Sequence, residues 1–349
     1  MHLPLVPRVD ADVDALIVGS GPAGLYAAYC GGFRGLSVAA MDSLPEIGGQ
    51  AAAMYPEKMI YDVAGFPAVR GRDLVAGLAA QAARYRPMCA LGEEASGLEY
   101  VDGPAVVTAS SGLRVRAKFV IVTSGIGTFK PRRLAPLDGF ERRGLAYFVP
   151  QSEGYRDKDV VIVGGGDSAF DWALTLEPLA RSVTLVRRRV KFRAHEALVQ
   201  QVAELPATLV TNAEEVAAHG DGSLEAVGLL QKQSRRAQRV QAQAVVAALG
   251  FIADIRPLEA LGLETAERRI VVGTTLATSL PRVYAAGDIT QYPRKVRFMS
   301  VAFGEAATAV NNAAAALYPG TSVFPGHVSD LRDHAGAGGE APDRRRDAA

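Results

Sequence analysis

Ala15-Leu16-Ile17-Val18-Gly19-Ser20-Gly21-Pro22-Ala23-Gly24 is the stretch on which the fold turns. Four apolar residues, the length of a short buried parallel strand, run directly into glycines spaced GxGxxG. Leu25-Tyr26-Ala27-Ala28-Tyr29-Cys30 then reads as a helix. Strand, glycines and helix in that order make a dinucleotide-binding fingerprint. Gly19 permits the tight turn, Gly21 lets the backbone approach a pyrophosphate, and Gly24 lets helix and strand pack closely. Pro22 and Ala23 fill the remaining places at the helix start, where free N–H groups and the dipole favour an anion. The next strand, Leu36-Ser37-Val38-Ala39-Ala40-Met41, ends at Asp42, an acid placed to accept hydrogen bonds from a ribose.

The pattern occurs twice. Asp159-Val160-Val161-Ile162-Val163 leads into Gly164-Gly165-Gly166-Asp167-Ser168-Ala169, and Asp171-Trp172-Ala173-Leu174 continues a helix. Ala169 closes this fingerprint as a small residue in glycine's place. The following strand, Ser182-Val183-Thr184-Leu185-Val186, ends in Arg187-Arg188-Arg189-Val190-Lys191-Phe192-Arg193 and not in an acid. A guanidinium fork suits the oxygens of a 2′-phosphate, which an acid would repel, so this second site is expected to take NADP rather than NAD. Two nucleotides on one chain suggest a flavin reduced by a pyridine nucleotide.

With 349 residues the chain is long for one compact core, and two domains are expected. The fold class is α/β, with two Rossmann-like, three-layer ββα dinucleotide-binding domains. Phe119-Val120-Ile121-Val122 before Gly125, and Val283-Tyr284-Ala285 before Gly287-Asp288, read as further strands of the first domain. That domain is therefore discontinuous, over 1–128 and 251–335, with the second inserted as 129–250. A Gly-, Ala-, Pro- and charge-rich tail, 336–349, is expected to be disordered.

A net charge of +1 argues against a general nucleic-acid binder. No apolar run approaches the roughly 18 residues of a membrane span. Met1–Pro7 has no signal-peptide pattern, so a cytoplasmic protein is expected. The only cysteines, Cys30 and Cys89, form no CxxC and read as free apolar fillers in a reducing compartment. No metal site is expected.

The two fingerprints, Ala286-Gly287-Asp288 and the Arg188-Arg189 pair resemble the thioredoxin reductase architecture. The positions where disulfide reductases carry their redox cysteines hold Tyr147-Phe148-Val149-Pro150 and Gly48-Gly49-Gln50-Ala51-Ala52-Ala53 instead. A thiolate relay is therefore missing. Met54-Tyr55-Pro56-Glu57-Lys58, Tyr61-Asp62-Val63-Ala64-Gly65-Phe66-Pro67, Lys191-Phe192-Arg193-Ala194-His195-Glu196 and Gly304-Glu305-Ala306-Ala307-Thr308 make the chain similar to the ferredoxin/flavodoxin–NADP reductases of the thioredoxin reductase type. Three positions depart from that family: Arg187 where His is frequent, Val190 where Asp is, and Asp42 where Glu is.

The resemblance implies FAD in the first site, with Asp42 on the adenosine ribose, Gln50 on the flavin side, Ala95, Phe129 and Ala306 lining the nucleotide, and Asp288 on the ribityl chain. It implies Tyr55 stacked on one flavin face. Phe324–Ser329 would cover the other, with His327 stacked and Ser329 nearby. NADP(H) falls to Gly164, Gly166, Asp167, Ser168, Arg188, Arg189 and Arg193. Hydride passes between nicotinamide and flavin, so the protein supplies orientation and no catalytic acid or base is assigned. His195 is read as structural. The implied partner is an acidic ferredoxin or flavodoxin, received by Arg132, Arg133, Arg294, Lys295 and Arg297, and the implied assembly is a homodimer. A disulfide reductase, and a redox sensor that binds both nucleotides, are the competing readings.

Overall fold

The structure is a computed structural model, and it describes residues 11–149 and 151–326. The chain forms two units: residues 11–53, 59–128 and 253–326, and residues 54–58 and 129–252. The expected tail, 336–349, the Met1–Pro7 stretch and the cover residues His327 and Ser329 lie outside the described residues.

The first unit is built on one mixed sheet in the order Met88–Leu91, Val38–Asp42, Ala11–Val18, Arg114–Val122, Ala105–Ala109, Ala95–Tyr100. The first four strands are parallel and the last two antiparallel. The Arg114–Val122 strand changes neighbour along one edge. Its first half pairs antiparallel with Ala105–Ala109 and its second half parallel with Val283–Ala285. The parallel register aligns Val18 with Met41 and Val122, and Val122 with Ala285. The Gly19 loop, Asp42, Thr123 and the Ala286-Gly287-Asp288 turn therefore leave the sheet at the same carboxyl edge, where open α/β sheets bind ligands. Helix Pro22–Phe33 packs with Gly71–Ala83 and Met299–Leu317 against this sheet. Gly31 and Gly32 allow that approach: a Cβ on Gly31 would lie 2.8 Å from Val38.

The second unit carries a parallel sheet in the order Leu145–Ala146, Ala244–Ala248, Asp159–Gly164, Ser182–Arg187, Thr208–Thr211. One face is covered by helices Asp167–Leu176 and Glu196–Ala203 through Phe170, Leu176 and Val202. The other face is covered by an antiparallel meander of Ala213–His219, Ala226–Gln231 and Ala237–Gln241 through Leu229 and Val227. Near-continuous Val and Ile in the inner strands follow from burial on both faces. These three layers agree with the expected ββα architecture. Residues 54–58, expected with the first domain, belong to the second unit. There Lys58 Nζ pairs with Asp171 Oδ2 at 2.5 Å.

Candidate functional site

In the first unit the glycine loop closes on the end of the neighbouring strand. Gly19 has φ +109°, and a Cβ there would lie 2.7 Å from the Thr123 carbonyl oxygen. A Cβ on Gly24 would overlap the Gly19 carbonyl oxygen and sit 2.8 Å from Thr123 Oγ1. Thr123 Oγ1 in turn donates to the Gly19 carbonyl at 2.7 Å. Thr123 is thus a clamp on the loop that the glycine spacing alone does not reveal. Gly49, φ +53°, brings the 48–50 segment so close that its Cβ would be 2.8 Å from Gly21 Cα. Gln50 places its amide against Gly125, in the turn that follows the Arg114–Val122 strand. Gly287 approaches Ala23, to which its Cβ would be 3.2 Å.

Helix Pro22–Phe33 begins at Gly21 with no side-chain cap and no acid in its first turn. Its free amides are the partners an anion needs. The Ser20 and Ser124 hydroxyls are buried without a hydrogen-bond partner among the described residues. These features fit a pyrophosphate on this loop. Asp42 is buried, with Oδ2 accepting from Ser20 N at 2.5 Å and Oδ1 from Leu44 N at 2.9 Å. Burial raises its carboxyl pKa, and those two bonds oppose the rise. Each oxygen keeps a further lone pair for a ribose hydroxyl.

Asp288 is exposed after the Gly287 turn, and the turn rests on a buried ion pair. Glu305 Oε2 accepts from Gly287 N at 2.8 Å, and Tyr292 OH donates to Oε1 at 2.5 Å. Lys295 Nζ bonds the same Glu305 Oε1 as well as Thr290 Oγ1 (2.9 Å) and the Gly287 carbonyl (3.1 Å). The Lys295 side chain is only 2% exposed, so it cannot belong to a docking surface. That expectation is corrected: the ammonium is consumed in neutralising the acid that holds the turn. The signal available in the sequence was the single acid, Glu305, inside the alanine-rich helix Met299–Leu317.

Other expected residues are placed less directly. The Ala306 side chain is fully buried in the core with Ala27 and Phe119, and Ala95 is buried at the start of its strand. Phe129 lies in strand Thr128–Pro131, and Tyr55 falls in the segment that belongs to the second unit.

In the second unit a Cβ on Gly164 would lie 2.6 Å from the Ala248 carbonyl and 2.9 Å from Ala169 Cβ, so only small residues fit at both 164 and 169. Gly166 precedes helix Asp167–Leu176, again without a side-chain cap. Ser168 is exposed there. Asp167 Oδ1 accepts the backbone N–H of His195 at 2.8 Å, fastening the loop after the arginines to the fingerprint helix. His195 stands at the N-cap of Glu196–Ala203. Arg188, Arg189 and Arg193 are exposed and form no ion pair among the described residues, so their guanidinium groups are available to a phosphate. Arg187, by contrast, is buried. Glu215 stands near Arg188. Burial pushes its carboxyl up to about 7, with its own backbone N–H opposing, Glu214 adding to the rise and Arg188 opposing it.

Cys30 and Cys89 are free and buried in one apolar cluster. Burial pushes their thiols up to about 12 and about 11, with Asp42 adding to the rise at Cys89. Neither supplies a thiolate for disulfide exchange.

Residues 13–312 match the family described as pyridine nucleotide-disulphide oxidoreductase. The chain is 57% identical over 314 residues to a ferredoxin–NADP reductase of Frankia alni, covering 90% of this chain and 98% of that one. It is 46% identical to a ferredoxin–NADP reductase of Thermus thermophilus, covering 91% and 96%. Among solved structures, thioredoxin reductase of T. acidophilum is similar with a TM-score of 0.72 at 26% identity, covering 88% of this chain and 99% of that one. The chain belongs to the pyridine nucleotide-disulphide oxidoreductase family and, within it, to the ferredoxin–NADP reductases of the thioredoxin reductase type, oxidoreductases that work with FAD and NADP(H).

Proposed function

We propose that this protein passes a hydride between NADP(H) and FAD and single electrons between FAD and an acidic ferredoxin or flavodoxin, working as a homodimer. The observation that carries the reading is the contrast between its two complete glycine sites. One is followed by a buried acid, Asp42, and the other by three exposed arginines, Arg188, Arg189 and Arg193. The flavin, when bound, supplies the two-electron to one-electron conversion. The chain's own residues bind and orient. The Gly19–Gly24 loop and the Pro22–Phe33 helix start hold the pyrophosphate, Asp42 the ribose and Asp288 the ribityl chain. Gln50 meets the flavin, and Tyr55 and His327 are the stacking residues. Gly164, Gly166, Asp167 and Ser168 cradle the second pyrophosphate.

For the carrier, Arg294 and Arg297 are exposed in the same unit as exposed Phe298 and Val296. Asp62 accepts the N–H of Met299 at 2.8 Å, which brings exposed Tyr61 and Phe66 to the same neighbourhood. A basic rim around apolar side chains suits an acidic electron carrier. Arg132 and Arg133 lie in the other unit, where Arg133 is paired with Asp138 at 3.1 Å.

The test is steady-state reduction of an acidic ferredoxin by NADPH and by NADH, with the parent and with Arg188→Ala/Arg189→Ala. Each charge-assisted bond is worth about 1.5–3 kcal/mol. The double variant is expected to raise the NADPH KM by roughly a hundredfold or more and to spare NADH. Equal use of the two cofactors by the parent would overturn the NADP assignment. Failure of any ferredoxin or flavodoxin to accept electrons would overturn the carrier assignment.

A further inference from the structure

Arg187 is one of the three positions at which this chain leaves its family's pattern, and the fold buries it. It is the last residue of strand Ser182–Arg187, one position beyond the Val163–Val186 pairing, and so lies opposite the start of the glycine loop. Only 7% of it is exposed. Its Nη1 donates to the Gly165 carbonyl oxygen, which also accepts the backbone N–H of Arg193 at 2.7 Å. The two ends of the arginine loop are thereby fastened to one carbonyl of the phosphate loop. The guanidinium lies 5.6 Å from the Phe192 ring centroid, and Phe192 is held edge-on by Phe170 at 4.8 Å.

The middle glycine is explained by the same contact. Gly165 has no positive φ, so its backbone does not require glycine. A Cβ there would overlap the Arg187 guanidinium and lie 2.5 Å from Arg187 Cδ. Gly165 and Arg187 are a matched pair.

The charge is unbalanced. Arg187 forms no ion pair among the described residues, and its buried Nε has no hydrogen-bond partner there. Arg189 and Arg193 are near enough to disfavour its charged form further. A buried cation beside other cations lowers stability unless an anion joins it.

We propose that Arg187 is the positioning residue of the dinucleotide phosphate site, locking the Gly164–Gly166 loop to the 188–193 loop in the geometry that receives a 2′-phosphorylated adenosine. The inference rests on the NADP(H) reading of this site. Arg187 touches the loops and acts through them. The unbalanced charge is completed when the phosphorylated ligand arrives, so stability is given up in the free protein in favour of a pre-formed site.

The test measures calorimetric binding of 2′,5′-ADP to the flavin-loaded protein, together with the thermal midpoint without ligand, in Arg187→Met, Arg187→Lys, Gly165→Ala and Gly165→Ala/Arg187→Ala. Loss of one charge-assisted bond predicts about tenfold or more weaker 2′,5′-ADP binding in Arg187→Met. Its thermal midpoint should be unchanged or raised, because an unpaired buried cation is gone. Arg187→Lys keeps the charge without the fork and should fall between Met and the parent. Gly165→Ala displaces the guanidinium and should weaken binding as Arg187→Met does. The Gly165→Ala/Arg187→Ala variant should be no worse than the weaker single change, since the clash is relieved. Parent-like binding by Arg187→Met, a lowered midpoint with affinity unchanged, or losses that multiply in the double variant would each overturn the inference. Arg188→Ala/Arg189→Ala is run alongside. If it too leaves 2′,5′-ADP binding intact, the NADP reading has failed. If only Arg187 is silent, the positioning role alone has failed.

Discussion

Lys295→Met tests the buried support under the Gly287-Asp288 turn. In the native unit the Lys295 and Glu305 side chains are 2% and 6% exposed, so neither charge has water to fall back on. Removing one member of such a pair costs about 3–5 kcal/mol, because the other is left buried and uncompensated. Here Glu305 keeps two strong donors, Gly287 N at 2.8 Å and Tyr292 OH at 2.5 Å. Burial and Glu305 push the Tyr292 phenol up to about 12, so it remains a donor throughout the working range. Those bonds place the expected loss at the lower end, about 3 kcal/mol. For a unit of this size that is a fall of roughly 6–12 °C in thermal midpoint. The turn that presents Asp288 should loosen with it, so flavin content after purification should fall too. Lys295→Met/Glu305→Gln removes the stranded charge and keeps an acceptor for Gly287 N–H. It should recover part of the loss. The assay is paired thermal unfolding and flavin-to-protein absorbance ratio for both variants. A midpoint within about 2 °C of the parent for the single variant, or a double variant less stable than the single, would refute the reasoning.

Gly24→Ala should abolish flavin retention. Its methyl would overlap the Gly19 carbonyl oxygen, and backbone cannot yield as a flexible side chain can, so a loss of about 3 kcal/mol or more is expected. The bound flavin per chain checks this. Glu215→Gln should flatten the dependence of stability on pH. The folded pKa of Glu215 is raised from 4.5 to about 7, so its penalty is absent below 4.5, grows as pH rises between the two values and is complete above 7, at most about 3 kcal/mol. Urea unfolding at pH 5 and pH 8 should show a smaller difference in the variant than in the parent. Cys30→Ser/Cys89→Ser should keep ferredoxin reduction if the fold tolerates two buried hydroxyls, since neither thiol is exposed or acidic. Loss of turnover with flavin content and thermal midpoint retained would reveal a thiol function.

Local features of the chain were legible before the fold was known. The glycine spacings at 19–24 and 164–169, the acid at 42 and the arginines after 187 each fall within or at the end of one strand-turn-helix-strand unit, so they are read from a short window of sequence. Their setting in two α/β units followed from hydrophobic runs too apolar for anything but doubly covered strands. What the sequence could not decide is which charges end up buried, because burial depends on residues brought together from distant parts of the chain. Lys295 reads as a surface cation, and Arg187 as the first of an arginine run open to a phosphate. Folding puts Lys295 against Glu305 under the Gly287 turn, and Arg187 under Gly165 in the loop that follows the neighbouring strand. Thr123 likewise becomes the clamp on Gly19 only because parallel pairing sets the ends of two strands, more than a hundred residues apart, side by side.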